Sequence, residues 1–272
     1  MLLRTWNVFH GNTSPPGPET HVEEMVGLAS SDRPAVLFLQ EVPAWALGRL
    51  SAWSGMTEYA EVTTKPLLGR IGTATRLGPF GTARTAPNSR IGQVVRLAVG
   101  GQANAILLSP AIRTVDRSNT VMNPRGLRRA EGERLDLGRI DRLKWARERR
   151  SCLALRVALQ DGRRAVVADL HTTAYPEAAA AIELEGALAF VEEFAEPGDV
   201  VIIAGDFNLA ASSSPRLREL VEMAGYSALG PWVDHIVVKG AQAGPPKHWP
   251  DDRRQIDVRL LSDHAPLDVR IE

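Results

Sequence analysis

The chain has 272 residues, 44% of them hydrophobic, which is enough to bury one large core or two small ones. Its 32 basic side chains equal its 32 acidic ones, so a surface that is cationic throughout is excluded and any basic patch is local. The single cysteine, Cys152, excludes an internal disulfide framework and suits a reducing compartment. Met1 runs straight into Leu2-Leu3-Arg4-Thr5-Trp6-Asn7-Val8 without a charged n-region or a long apolar h-region, so no signal peptide is expected. No apolar run approaches the roughly 20 residues that span a bilayer. A cytoplasmic monomer with no membrane span is the expectation.

Residues 2–8 predict a first strand that ends at Asn7, and a loop dense in turn formers follows from Gly11 to Pro18. A helix passes through Val22, Met25, Val26 and Leu28, with Glu23 and Glu24 near its positive end. Ala35 to Gln40 reads as a second strand, and Glu41 stands at its end. Pro43 to Trp53 predicts a short helix opened by proline. Residues 64–92, rich in Gly, Thr, Arg and Pro, read as loop and irregular structure. Strands are expected at Ala103 to Ser109, which carries Asn104, and around Ile112 to Thr120.

The most charged stretch, Arg125 to Arg150, has ten basic and five acidic side chains and reads either as a solvated excursion or as a local cationic track. Arg149 and Arg150 lead directly into the strand Cys152 to Val157. The turn Gln160-Asp161-Gly162-Arg163 signals a hairpin returning along Ala165 to Leu170, with His171 at the strand end. An alanine-rich helix spans Glu177 to Ala195, stopped by Pro197-Gly198, and another runs from Pro215 to about Ala224. A closing pair of strands carries Asp234-His235-Ile236-Val237-Val238 and Ser262-Asp263-His264-Ala265-Pro266-Leu267-Asp268-Val269. No repeat or linker divides the chain, so residues 1–272 are one domain. Strands alternating with helices, some joined by hairpins, predict a mixed-sheet α/β fold.

The stretch from Asp199 to Asn208 organises the rest. Val200 to Ala204 is short, β-branched and uninterrupted, as in a strand buried on both faces. Gly205 permits a close backbone approach, Asp206 follows as a carboxylate at the strand end, and Asn208 returns to the same side two residues on. Taken alone the stretch fits an Asx turn equally well. Yet Asn7, Glu41, His171, Asp206, Asn208, Asp234, Asp263 and His264 all lie at strand ends or beside strands, where ligand sites of α/β folds form. Oxygen ligands without cysteine favour Mg²⁺ or Mn²⁺, and two histidines add acid–base capacity. Together these types point to metal-assisted hydrolysis at an anionic centre, with phosphorus as the expectation.

Trp6-Asn7, Leu39-Gln40-Glu41, Gly205-Asp206-Phe207-Asn208, Val233-Asp234-His235-Ile236 and Ser262-Asp263-His264-Ala265-Pro266 resemble, in that order, the motifs of the endonuclease/exonuclease/phosphatase superfamily, the group of the DNase I-like nucleases. The resemblance implies a four-layer α/β sandwich with two central mixed β-sheets, helices outside, and a cleft along one edge. It implies metal ligation by Glu41, Asp263 and Asn7, with Asp206 orienting or deprotonating the attacking water and Asn208 holding it. His264 would contact the scissile phosphate, kept in its tautomer by Asp234, and His171 would be the acid for the leaving oxygen. Arg150, with Arg149 as the alternative, Asn104 and His10 are the expected phosphate or substrate contacts. One departure stands out: Trp-Asn-Val in abasic-site endonucleases precedes an aspartate ligand, whereas Val8 here precedes Phe9-His10. The resemblance implies a phosphodiesterase, with nucleic acid as the expected partner. A small or lipid-borne phosphate ester, of the inositol phosphate or sphingomyelinase kind, is the alternative.

Overall fold

The computed structural model describes residues 1–64, 101–159 and 161–272. The expectation of irregular structure thus falls, apart from Thr64, outside the described residues, as does Gln160. The chain begins with β1 (Leu2–Asn7), β2 (Thr13–Ser14), α1 (Val22–Ser30), β3 (Val36–Pro43), α2 (Leu50–Ser54) and β4 (Thr57–Thr64). After the undescribed stretch come β5 (Gln102–Leu108), β6 (Arg113–Val121), α3 (Arg125–Arg134), α4 (Arg139–Ala146), β7 (Ser151–Ala158) and β8 (Arg164–His171). The last part holds α5 (Glu177–Phe194), β9 (Val200–Asp206), α6 (Pro215–Met223), β10 (Asp234–Lys239), β11 (Lys247–His248), β12 (Gln255–Ile256), β13 (Arg259–Leu261) and β14 (Leu267–Arg270).

Period-two alternation builds the layers. In β3, Val36 and Phe38 point towards the other sheet while Leu37 and Leu39 point towards α1 and α2; in β9, Ile202 and Ala204 point inward while Val201 and Ile203 meet α5 and α6. Buried apolar side chains on both faces are why Val200 to Ala204 reads as an unbroken apolar run. One sheet has the order β11-β14-β1-β3-β5-β4 and the other β10-β9-β8-β7-β6, each mixing parallel and antiparallel pairs. Ile106, Leu153, Ile202, Ile236 and Leu267 fill the space between them. Helices α1 and α2 cover the first sheet, and α5 and α6 cover the second, which gives the four-layer sandwich.

Three expectations need correction. The segment from Pro43 is not one helix: β3 continues to Pro43, a short turn spans Ala44–Ala46, and α2 begins only at Leu50. Strand β4 was not foreseen, because Glu58 and Glu61 break its apolar alternation. The closing strands are not partners. β10 pairs with β9 and β14 with β1, so they lie in opposite sheets.

Candidate active site

Register delivers the polar residues to one edge. The parallel pairing of β8 with β9 sets His171 beside Asp206, and the antiparallel pairing of β10 with β9 sets Asp234 opposite Asp206. Gly205 makes this alignment possible. A Cβ there would stand 1.8 Å from the Leu170 carbonyl oxygen, and the glycine has φ +139°, so no other residue fits without moving β8. On the facing sheet, β1 and β3 bring Asn7 beside Gln40, and a bulge between Leu39 and Val42 turns Glu41 into φ +55°. Phe9, His10, Asn208 and Ser262 also hold positive φ, at 46°, 55°, 48° and 65°. Such backbone costs on the order of 1–3 kcal/mol per residue, and here it gathers at one place.

Hydrogen bonds join the two halves. Asn7 Nδ2 donates to Asp206 Oδ2 at 3.0 Å and to Glu41 Oε1 at 3.3 Å. His264 Nδ1 lies 2.8 Å from Asp234 Oδ2, and its Nε2 is 3.8 Å from Asp206 Oδ2. His171 Nε2 is 3.5 Å from the same oxygen. The Asx turn is present too, since the Asn208 backbone N–H donates to Asp206 Oδ1 at 3.0 Å while Asn208 Nδ2 donates to Thr172 O at 3.0 Å. The bland and the functional readings of Asp206 are therefore compatible: one oxygen serves the turn and the other faces the cluster.

Electrostatics sort the titratable groups. Burial, then the neighbouring Asp234 charge, pushes the Asp206 carboxyl up to about 7 against the pull of His264 and Asn7. Burial would lower His264, but the hydrogen bond and charge of Asp234, helped by Asp206 and Asp263, raise it to about 10, so it is cationic at neutral pH. Burial and then Arg150 hold His171 well below the usual histidine value, against the charge of Glu41. That direction works against the expected part of His171 as acid for the leaving oxygen; the imidazole held cationic beside Asp206 is His264.

His10 does not stand free as a phosphate contact. Its Nε2 pairs with Glu41 Oε2 at 2.8 Å, and Glu41 outweighs burial to raise the imidazole. The same pair outweighs burial to hold Glu41 far below the usual carboxylate range. Asn104 is buried and donates to the Ser151 carbonyl at 3.3 Å, which steadies the start of β7; among the described residues no hydrogen bond joins it to the cluster. Arg150 is 7% exposed, pairs with Glu148 at 2.7 Å, and keeps Nε and Nη1 buried without partners among the described residues. Buried guanidinium donors in that state call for an anion or water.

Two groups could hold a hard cation. Asp206, Asp234 and His264 offer ligand atoms within 4.8 Å of one another, and Asp234 Oδ1 is buried without a partner among the described residues. In that group Asp234 Oδ2 and His264 Nδ1 already bind each other. The second group is Glu41, Asn7 and Asp263. Burial and then the Glu41 charge raise Asp263, a repulsion between carboxylates that a cation would relieve. Residues that sequence reasoning missed support the site from behind. Ser262 Oγ donates to Asn7 O at 2.7 Å and accepts from His264 N at 3.0 Å; Trp6 Nε1 donates to His264 O at 2.8 Å. Arg254 donates to the carbonyls of Leu261, Ser262 and His264. Ser262 and Trp6 lie inside the quoted motifs, whereas nothing near Arg254 signals its part.

Residues 5–264 match the Endonuclease/Exonuclease/phosphatase family. The chain belongs to that family. Among solved structures, an endonuclease/exonuclease/phosphatase from Beutenbergia cavernae shares 14% identity at a TM-score of 0.65, covering 100% of this chain and 71% of its own. A humanised D. rerio TDP2 shares 13% at 0.62, covering 100% and 98%. A mannosyl-6-phosphatase from Bacteroides thetaiotaomicron shares 11% at 0.64, covering 100% and 99%. No curated protein matches. These likenesses establish the DNase I-like fold of this family member, and at such identities they establish the fold alone. Among the described residues no helix is long and apolar enough to cross a membrane.

Proposed function

We propose that this family member is a divalent-metal-dependent phosphodiesterase and that nucleic acid is its substrate. The observation that carries the reading is the junction of Asn7, Glu41, Asp206, Asp234 and His264 across two sheets, with a cationic imidazole clamped beside a high-pKa carboxylate. When bound by Glu41, Asn7 and Asp263, Mg²⁺ or Mn²⁺ would supply several kcal/mol of charge stabilisation at a phosphoryl oxygen. The chain's own groups do the rest. Asp206 takes a proton from the attacking water, which Asn208 orients. His264, fixed through Nδ1 by Asp234, presents Nε2 to the phosphate, and Arg150 offers its two unpartnered donors to the same charge.

Nucleic acid is favoured by the exposed cations Arg125, Arg139, Lys144 and Arg147, carried on or just beyond α3 and α4 in the segment that leads into Arg150. A second reading, a small phosphate ester, rests on the balanced net charge and on the likeness in fold to a mannosyl-6-phosphatase. A substrate panel decides between them: plasmid, single-stranded DNA, RNA, a sugar phosphate, an inositol phosphate and bis-p-nitrophenyl phosphate, each with Mg²⁺, Mn²⁺ or chelator. Activity is expected to require the cation and to vanish in Glu41→Ala. Full turnover in excess EDTA after metal stripping would overturn the metal-dependent reading.

A further inference from the structure

A cavity lies on the outer face of the β11-edge sheet. Because Leu3, Leu267 and Val269 point into the space between the sheets, their neighbours Leu2, Asp268 and Arg270 point away from it. With Lys247, His248, Trp249 and Arg253 they line a cavity of about 340 Å³, a size in the range of small-ligand sites.

The charges there do not cancel. Buried Arg4 binds Asp268 at 2.6 and 2.7 Å and Asp32 at 2.5 and 2.9 Å, and Asp32 also takes Arg253 at 2.9 Å. Two arginines and two aspartates thus balance. Both guanidiniums also lie against Trp249, that of Arg4 4.3 Å and that of Arg253 3.4 Å from its ring centre. Lys247, which stands opposite Asp268, and Arg270 remain, both exposed and with no ion-pair partner among the described residues, so four cations face two carboxylates and leave two positive charges in excess. His248 stands opposite Leu267 and so faces the space between the sheets, which leaves the charge of the outer face to Lys247 and Arg270.

We propose that this cavity binds the dianionic phosphate of a small phosphomonoester, with Lys247 and Arg270 supplying the charge, and Leu2, Pro245 and Pro250 contacting the carbon portion. Two free cations match a dianion, and the volume leaves room beyond a bare phosphate. The site is separate from the catalytic edge and stands whether or not the phosphodiesterase reading holds.

Calorimetric titration of metal-stripped protein tests it, using inorganic phosphate, glycerol phosphate and vesicles containing phosphatidic acid as probes. Lys247→Gln with Arg270→Gln is expected to weaken binding at least about tenfold, the loss of one charged hydrogen bond or more. His264→Ala should leave this binding unchanged, which separates it from phosphate held at the catalytic edge. Hydrolysis of bis-p-nitrophenyl phosphate by the double variant should match the parent and vouch for its fold; Lys247→Gln alone offers a second, milder variant with the same expected direction. Binding of the soluble probes marks a small metabolite as the source of the phosphate, and binding of vesicles alone marks a lipid headgroup. The proposal is overturned if no probe binds the parent at tens of millimolar phosphate, or if parent and double variant bind alike.

Discussion

Asp234 illustrates how one carboxylate sets the state of a neighbouring imidazole. It sits at the first residue of β10, is 1% exposed, and gives one oxygen to His264 while the other finds no partner. Asp234→Asn removes the charge that holds His264 cationic but keeps the shape of the side chain. We expect turnover to fall at least about a hundredfold, the lower end of what a positioned proton or charge contributes, with far-UV circular dichroism unchanged. Asp206→Asn should behave alike, because the Asx turn survives on the retained oxygen while the proton acceptor is lost. A folded variant of either kind that keeps most of its turnover would remove that residue from the mechanism.

Helices α3 and α4 show why a charge run cannot be interpreted one residue at a time. Arg142 is a structural pin: its guanidinium donates to Leu137 O at 2.7 Å and Gly132 O at 2.9 Å, locking the two helices together. Arg129, Arg134 and Arg149 pair with Glu133, Glu131 and Glu61. Trp145 is buried and donates to Glu183 at 2.7 Å, and Glu183 also accepts from Thr173 N at 2.6 Å, two residues after His171. The excursion is thus anchored to the catalytic edge. If nucleic acid runs over it, Arg139→Gln, Lys144→Gln and Arg147→Gln together should weaken duplex binding and flatten the log–log salt slope by about 0.9 per lost phosphate contact. An unchanged slope would take α4 out of the binding path. The motif residues were legible because period-two geometry and side-chain chemistry fix them locally. The committed and free arginines were not, since their partners are chosen only by tertiary packing. Glu41 falls between: its type was readable, but the bulge that aims it was not.

At the scale of the molecule, the two sheets are joined near the site by polar bonds. Behind the Asn7–Asp206 and His264–Asp234 contacts, Gln40 Nε2 donates to Asp169 Oδ1 at 2.6 Å, and Asp169 Oδ2 is buried without a partner. Burial raises the Asp169 carboxyl well above its ordinary value despite the Gln40 hydrogen bond. From about pH 4 up to that raised value the native state binds more protons than the unfolded chain, so this group erodes stability as pH rises and costs nothing below it. Asp169→Asn, which resembles the neutral form, should therefore flatten the pH dependence of urea unfolding over that window. Equal slopes for parent and variant would refute the assignment.

The site draws Asn7, Glu41, Asp263 and His264 from one sheet and its approach, and His171, Asp206 and Asp234 from the other. It works as a vernier, a scale read only when two rulers coincide. The sheets are held in coincidence chiefly by the apolar filling of Ile202, Ile236 and Leu267, which resists separation more firmly than it resists sliding. A slip of about 1 Å between reacting groups can cost on the order of a hundredfold in rate while leaving every strand intact. Catalysis should accordingly fade on gentle heating before far-UV circular dichroism changes.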